Sequence, residues 1–290
     1  MTKRKVAIVT DSTANLPPEL VAKHEIHVIP LNLHWDEESL LDNVDITPAA
    51  FYARLENSSS VPTTSQPSAG RFFQFFSEVA ESADSIVGIF LSSDLSGTFA
   101  SAHAAVDMMG DYPMKIVDSR SVSLGLGLMV LEAARLAEAG KGYQQIAEVI
   151  EAMVPHVHVR FVVDTLEYLH RGGRIGGGKR LIGSMLSIKP LLGVHEGTVE
   201  ALASVRTKRK AVDRLLEIAQ EETEGAQALH MGVIHAAAED EGRALAERVR
   251  ERFKPVELVE NELTPVIGTH GGPGTVGVCY YDEAALPRRS

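Results

Sequence analysis

Ser85-Ile-Val-Gly-Ile-Phe-Leu91 runs into Ser92-Ser-Asp-Leu-Ser-Gly-Thr98 and then into the helical stretch Phe99–Met109. A short run that is apolar at successive positions belongs inside a parallel sheet covered on both faces. Followed by a polar glycine-containing turn and a helix, it is the strand–loop–helix unit of a doubly wound fold. The unit recurs on either side. Val6–Val9 ends in Thr10-Asp-Ser-Thr13, and Pro17-Pro18-Glu19 opens a helix, proline being tolerated in a first turn. Lys115–Val117 ends at Asp118-Ser119 ahead of the helix Gly125–Ala139, which stops at Gly140. Between these, Ile26–Leu33 reads as one strand and Ile46–Leu55 as a helix with Thr47-Pro48 as cap and first position. Asn57–Ser68 reads as a loop, and Arg71–Ala80 as a helix carrying Phe72, Phe73, Phe75 and Phe76. Tyr143–Val154 is a helix and His158–Val163 a strand.

The second half is patterned differently. Asp164–His170 is a short helix and Gly172–Gly178 is glycine-rich. Leu186–Leu192, Thr198–Val205, Met231–His235, Val256–Leu263 and Val276–Tyr281 read as strands, with helices at Lys210–Gln220 and Asp240–Arg252. Two of these strands follow each other without a helix, so this sheet is expected to be mixed. The expected fold class is therefore α/β with two domains. Residues 1–157 form an N-terminal domain on a doubly wound, mainly parallel sheet, and 158–290 a C-terminal α/β domain on a mixed sheet. The loop 57–68 would be placed to reach the other domain.

Composition narrows the function. The chain has 290 residues, 44% hydrophobic and 23% charged, with a net charge of -11. That sign disfavours nucleic-acid binding and anything beyond transient contact with an anionic membrane. The one cysteine, Cys279, cannot make an intrachain disulfide or a cysteine metal cluster and reads as a core strand residue. The first apolar run, Val6–Val9, is far short of the ~20 residues that span a bilayer, and the expected location is cytoplasmic.

Ligands of parallel sheets sit beyond the carboxyl ends of the strands. The polar loops Thr10–Thr13, Ser92–Thr98 and Asp118–Ser121 fall there, and Pro62-Thr-Thr-Ser-Gln-Pro67 joins them. Ser96-Gly97-Thr98 at a helix start is an anion site, because the first N–H groups of a helix lack partners and glycine allows close approach. The alternative is that Ser96 merely caps the helix. Two of these hydroxyl loops have no lysine or arginine nearby and no GxxxxGK[ST] pattern occurs, so neutral donors fit a singly charged carboxylate better than a polyphosphate. In Gly268-Thr-His-Gly-Gly-Pro-Gly274, His270 can donate a hydrogen bond or titrate near neutrality; the alternative is a surface turn with an incidental histidine. His24, His34, His156, His158 and His230 form no metal-ligand pattern, and no metal or cofactor is expected. Two basic clusters stand out on this acidic chain: Arg171 and Arg174 with Lys179, Arg180 and Lys189, and Arg206–Lys210. They read either as solvated faces or as a docking patch for an acidic partner or its nucleotide phosphates.

The motifs Thr10-Asp-Ser-Thr13, Thr63-Thr-Ser-Gln-Pro67, Ser92–Thr98, Asp118-Ser119, Leu166–Arg174, Ile188-Lys-Pro190, Val205-Arg-Thr207 and Thr269–Gly274 occur in the order found in the DegV family, which the chain resembles along nearly its whole length. Those bacterial proteins are the fatty-acid-binding subunits of fatty acid kinase systems. The resemblance implies an acyl chain, such as palmitate, between two α/β domains. It implies a carboxylate held by Thr64 and Ser96, with His270 as the family's C-terminal histidine. Ser65, Ser93 and the Gly97 N–H are the neighbouring donors expected to assist. Arg174 and Arg206 correspond to arginines linked to the kinase subunit. The chain would then present its substrate to an ATP-dependent kinase for phosphorylation to an acyl phosphate, with no catalytic residues of its own. Three rivals are a serine hydrolase acting on lipid esters through Ser96, His270 and Asp118 (without the GxSxG elbow), a nucleotide- or sugar-phosphate-binding enzyme, and a plain lipid carrier.

Overall fold

The computed structural model describes residues 4–176 and 189–286. The first sheet is made of β1 (Ala7–Asp11), β2 (His27–Ile29), β6 (Ile86–Phe90) and β7 (Met114–Asp118), parallel throughout in the order β2-β1-β6-β7. β1 and β6 are buried at every residue, as a strand covered on both faces must be. The second sheet has the order β10-β9-β8-β13-β11-β12. Its strands are β8 (His158–Val162), β9 (Lys189–His195), β10 (Thr198–Val205), β11 (Leu229–His235), β12 (Glu257–Glu262) and β13 (Val276–Asp282). Only β11 and β12 pair in parallel there, so the sheet is mixed.

Three layers of helices enclose the two sheets. α3 (Ala69–Ala80) and α4 (Thr98–Met108) cover the outer face of the first sheet, where Phe72 and Phe76 pack against Phe90 and Phe75 packs against Phe76. α8 (Lys208–Glu222) and α9 (Glu239–Phe253) cover the outer face of the second. In the middle lie α5 (Leu124–Glu138) and α6 (Tyr143–Met153), and α5 touches β1 and β6 of one sheet and β8, β11 and β13 of the other. All residues from Leu124 to Leu131 are buried, because a helix that is apolar all round must be covered all round. Its glycines set how closely it is covered. A Cβ on Gly127 would lie 2.5 Å from the Ala14 carbonyl oxygen, and one on Gly125 would overlap Val159 of β8. The change of sheet falls between α6 and β8.

Three sequence expectations are corrected. Ile26–Leu33 is not one strand. β2 ends before Pro30, which has no N–H for a ladder, and β3 (Asn32–Trp35) leaves to pair with β4 (Glu38–Leu41) and β5 (Thr63–Ser65) in a small antiparallel sheet. The loop read over Asn57–Ser68 therefore contains a strand. The surface turn weighed as the alternative for His270 is instead the end of a helix, α10 (Pro265–Gly271), with the positive-φ glycines Gly272 and Gly274 following it. The helix α2 (Pro48–Asn57) has Thr47 as its cap, accepting the Ala50 N–H at 3.3 Å. Cys279 is buried in β13. The start of the strand expected from Leu186, together with Lys179, Arg180 and Ile188, lies outside the described residues.

Candidate functional site

Beyond the ends of β1 and β6, and against β8, a cavity partly open to solvent lies between the two sheets. Most of its wall is apolar, including Leu31, Leu91, Val159, Phe161, Ile234 and Val266. Polar groups gather on Thr64, Ser65, Gln66, Ser96, Arg174 and His270. An apolar space with a few convergent polar groups suits an amphiphile with a small head and a long tail.

Each polar side chain is positioned by a different element. Thr64 sits in β5 opposite Leu33 of β3, and Ser65 opposite Asn32. The Ser65 hydroxyl is held by His34 Nε2 at 2.8 Å and Asn32 Nδ2 at 3.3 Å. Ser96 lies in the turn before α4, with its Oγ 2.9 Å from Thr98 Oγ1 and accepting the Thr98 N–H at 3.3 Å. Gly97 is the cap residue of α4, and a Cβ there would lie 2.8 Å from Gln66 Nε2. The turn carrying Ser96 and the strand carrying Thr64 are thus packed together, and glycine is what lets them meet.

α10 delivers His270, whose Nε2 lies 2.8 Å from Thr64 Oγ1. The ring's Nδ1 is buried without a partner. A proton there would leave a buried donor unsatisfied, at a cost of about 1–3 kcal/mol. On Nε2 it can donate to Thr64 Oγ1, and the Thr64 O–H is then free to donate into the cavity. Burial, reinforced by the Arg174 guanidinium, brings His270 down to about 4, so the imidazole is neutral at physiological pH. Arg174 reaches across the molecule, its Nε donating to the Leu95 carbonyl at 3.0 Å and its Nη1 to that of Gly172 at 2.6 Å.

Residues that the sequence did not single out fix α10. Val266 N–H donates to Asp42 Oδ1 and Thr264 N–H to Asn15 Oδ1, both at 2.9 Å, and Tyr52 OH donates to the Leu263 carbonyl at 3.1 Å. Asn15 stands in the left-handed region, φ 54, a conformation asparagine tolerates better than most residues. The loop Thr10–Thr13 is structural. Asp11 accepts the N–H groups of Leu91 and Thr13, both at 2.9 Å, and the Thr13 hydroxyl at 2.5 Å, tying the ends of β1 and β6 together.

Other expected residues stand apart from the cavity. Ser93 is exposed, and its N–H donates to Asp118 Oδ1 at 3.2 Å. Arg206 is exposed just past β10. Lys189 and Lys208 pair with Asp164 at 3.2 and 3.5 Å, so part of the basic cluster is neutralised internally. The triad imagined from Ser96, His270 and Asp118 is not assembled. Ser96 faces Thr98, His270 faces Thr64, and Asp118 accepts from the backbones of Ser93 and Arg120. Among the described residues no His/Cys/Asp/Glu group could hold a metal ion, and no helix is long and apolar enough to cross a membrane.

Comparison with known proteins places this architecture. Residues 5–283 match the family model described as "Uncharacterised protein, DegV family". The chain is 35% identical to Protein DegV of Bacillus subtilis over 276 residues, covering 95% of this chain and 98% of that protein. It is 40% identical to a DegV domain-containing protein of Streptomyces coelicolor over 277 residues, covering 95% and 98%. Among solved structures, a Thermus thermophilus DegV family protein described by its fatty acid binding superposes with a TM-score of 0.91 at 35% identity, over 96% of this chain and 99% of that one. DegV of Bacillus subtilis, described as a fatty acid binding protein, gives 0.89 at 35% identity, over 97% and 100%. The α/β architecture, its parallel and mixed sheets and the matched motifs make this chain a member of the DegV family.

Proposed function

We propose that this chain binds one long-chain fatty acid, with the acyl tail in the cavity between the sheets and the carboxylate at Thr64, Ser96 and His270. The observation that carries the reading is the sorting of the cavity wall. Hydroxyls and a neutral imidazole meet in one place, and most of the remaining wall is apolar. Burial of each CH₂ contributes ~0.8 kcal/mol, so a sixteen-carbon tail such as that of palmitate contributes on the order of 10 kcal/mol before the costs of ordering. The head group is compensated by the Thr64 O–H, the Ser96 O–H and the N–H groups at the start of α4, with Arg174 nearby as a cation. Ser65 keeps β5 in register rather than binding directly, since its oxygen is already engaged.

The same reading makes residues 1–157 and 158–290 the two lobes of a substrate-presenting subunit. The exposed carboxylate oxygen would attack the terminal phosphorus of ATP held by a partner kinase. An O–P bond forms, the bond to ADP breaks, and an acyl phosphate and ADP result. Arg174, at the cavity, and Arg206, on the surface, are the residues assigned to that partner. The relatives described as fatty acid binding proteins support the ligand; the kinase step rests on the family resemblance and the two arginines.

Mass spectrometry of lipid extracted under denaturing conditions from the purified protein tests the ligand. One long-chain acid per chain is expected. No co-purified acid and no uptake of one on incubation refutes it. Pull-down of a candidate kinase, repeated with Arg174→Ala and Arg206→Ala, separates a kinase subunit from a plain carrier.

A further inference from the structure

Ser123 stands where β7 has ended and α5 begins, and it forms part of the cavity wall. A serine at the start of a helix ordinarily caps it, its side-chain oxygen accepting an N–H of the first turn. Ser123 does not. Its side chain makes no capping bond, and its backbone is held at φ 56, ψ -146, a region that L-residues rarely occupy. Its hydroxyl is buried and has no hydrogen-bond partner.

The other hydroxyls of the cavity are engaged. Thr64 pairs with His270, Ser65 with His34, Ser96 with Thr98, Thr13 with Asp11, and Thr275 with the carbonyls of Gly271 and Gly272. Ser123 thus combines a strained backbone with an unsatisfied polar group, and neither gives the free protein a bond in return. Such a combination persists where a ligand completes it.

Resting on the fatty-acid reading above, we propose that Ser123 is a specificity-determining residue. Its hydroxyl donates a hydrogen bond to an electron-rich group part-way along the acyl chain. Two chain types carry that chemistry: a cis alkene, whose π electrons accept weakly, and a hydroxylated chain, whose oxygen accepts strongly. A saturated chain leaves the hydroxyl unpaired. The site therefore discriminates by chain chemistry as well as by length.

The test measures dissociation constants of the delipidated protein for stearate, oleate and a panel of monohydroxystearates substituted along the chain. It uses the natural protein, Ser123→Ala and Ser123→Gly. The natural protein is expected to favour at least one oxygenated acid over stearate by about tenfold, or oleate by about threefold, the two arms telling the sources apart. Ser123→Ala should abolish that preference and leave stearate binding within about twofold. Ser123→Gly should abolish it too, while raising the melting temperature by a few degrees, roughly, as the strain is released. The glycine variant also shows that a lost preference does not come from lost folding. Equal affinities in the natural protein, or a preference that survives both substitutions, overturns the proposal while fatty-acid binding stands. Failure of every acid to bind the natural protein removes both readings.

Discussion

His270 Nε2 and Thr64 Oγ1 stand 2.8 Å apart although 206 positions of sequence separate them. The pair does not depend on how the two sheets happen to lie. α10 carries His270, and Asp42, Asn15 and Tyr52 bind α10 and the residues leading into it to the N-terminal half of the chain. Imidazole and hydroxyl are thus mounted on one platform.

Removing either partner should empty the head-group site. Thr64→Val keeps the volume of the side chain but deletes the hydroxyl and leaves the His270 N–H unpaired. Fatty-acid affinity is expected to fall by about 10- to 100-fold, corresponding to roughly 1–3 kcal/mol. Ser96→Ala should cost less, about fivefold, because the adjacent Thr98 hydroxyl and N–H groups remain. Calorimetric titration with palmitate measures both.

Gly172 is expected to act through the histidine. A Cβ at this position would overlap His270 Nδ1. The ring must turn, and its bond to Thr64 is lost. Gly172→Ala should therefore lower fatty-acid affinity nearly as far as His270→Ala does, with little change in circular dichroism. Unchanged affinity would show that the ring orientation is irrelevant to binding.

Two buried groups give stability opposite dependences on pH. Burial pushes Asp42 up to about 6, so the fold prefers its protonated form. Its contribution is greatest below the ordinary value of 3.8 and is lost as pH rises through about 6. His270, down at about 4 against an ordinary 6.5, contributes most above 6.5 and loses that contribution as pH falls toward 4. Asp42→Asn retains an acceptor for the Val266 N–H without the buried charge. It should raise stability at pH 7 by on the order of 2 kcal/mol, and remove a falling contribution from a profile in which the lowered histidines His270, His27 and His158 make stability rise below about pH 6.5. Urea unfolding across that range reads the slope; a flat profile in the variant would contradict it.

At the far end of the second sheet, His230 stacks on Tyr281 and bonds to Glu257 at 2.9 Å and Glu283 at 3.0 Å. Burial opposes its charge, but the two carboxylates outweigh burial and raise its pKa. For Glu257, burial is likewise outweighed, by His230 and Arg135, and the carboxyl falls to about 2. Glu257 therefore stabilises fully above its ordinary value of 4.5 and loses this as pH falls toward 2. His230 stabilises below its ordinary 6.5, and the gain fades as pH rises through its higher folded value. Glu257→Gln should cost roughly 2–4 kcal/mol near neutrality, with fatty-acid affinity at moderate temperature unchanged.

The parallel sheet was legible because Ser85–Leu91 and the units around it carry their pattern locally. The mixed sheet was legible because two of its strands, β9 and β10, follow one another without a helix between them. What the residues did not reveal depends on distant partners. Thr63–Ser65 is too short and polar to read as a strand; it becomes one because β3 offers an unpaired edge. Glycines around His270 suggest a turn, yet contacts with α2, the short helix Glu167–Arg171, β3 and β5 hold the segment as a helix. Of the residues at the site, Thr64, Ser96 and His270 were legible as hydroxyl and imidazole motifs and are brought to one cavity. Asp42, Asn15 and Tyr52 were not, because nothing in their neighbourhood shows that α10 docks on them. Ser123 shows itself only through its backbone.

A crystal structure of the palmitate complex tests the central claim most directly. The carboxylate is expected within hydrogen-bond distance of Thr64 Oγ1 and Ser96 Oγ, with the tail running along Val159, Phe161 and Ile234. An acid bound elsewhere, or one lying in the cavity with its methyl end against Thr64, would contradict the account.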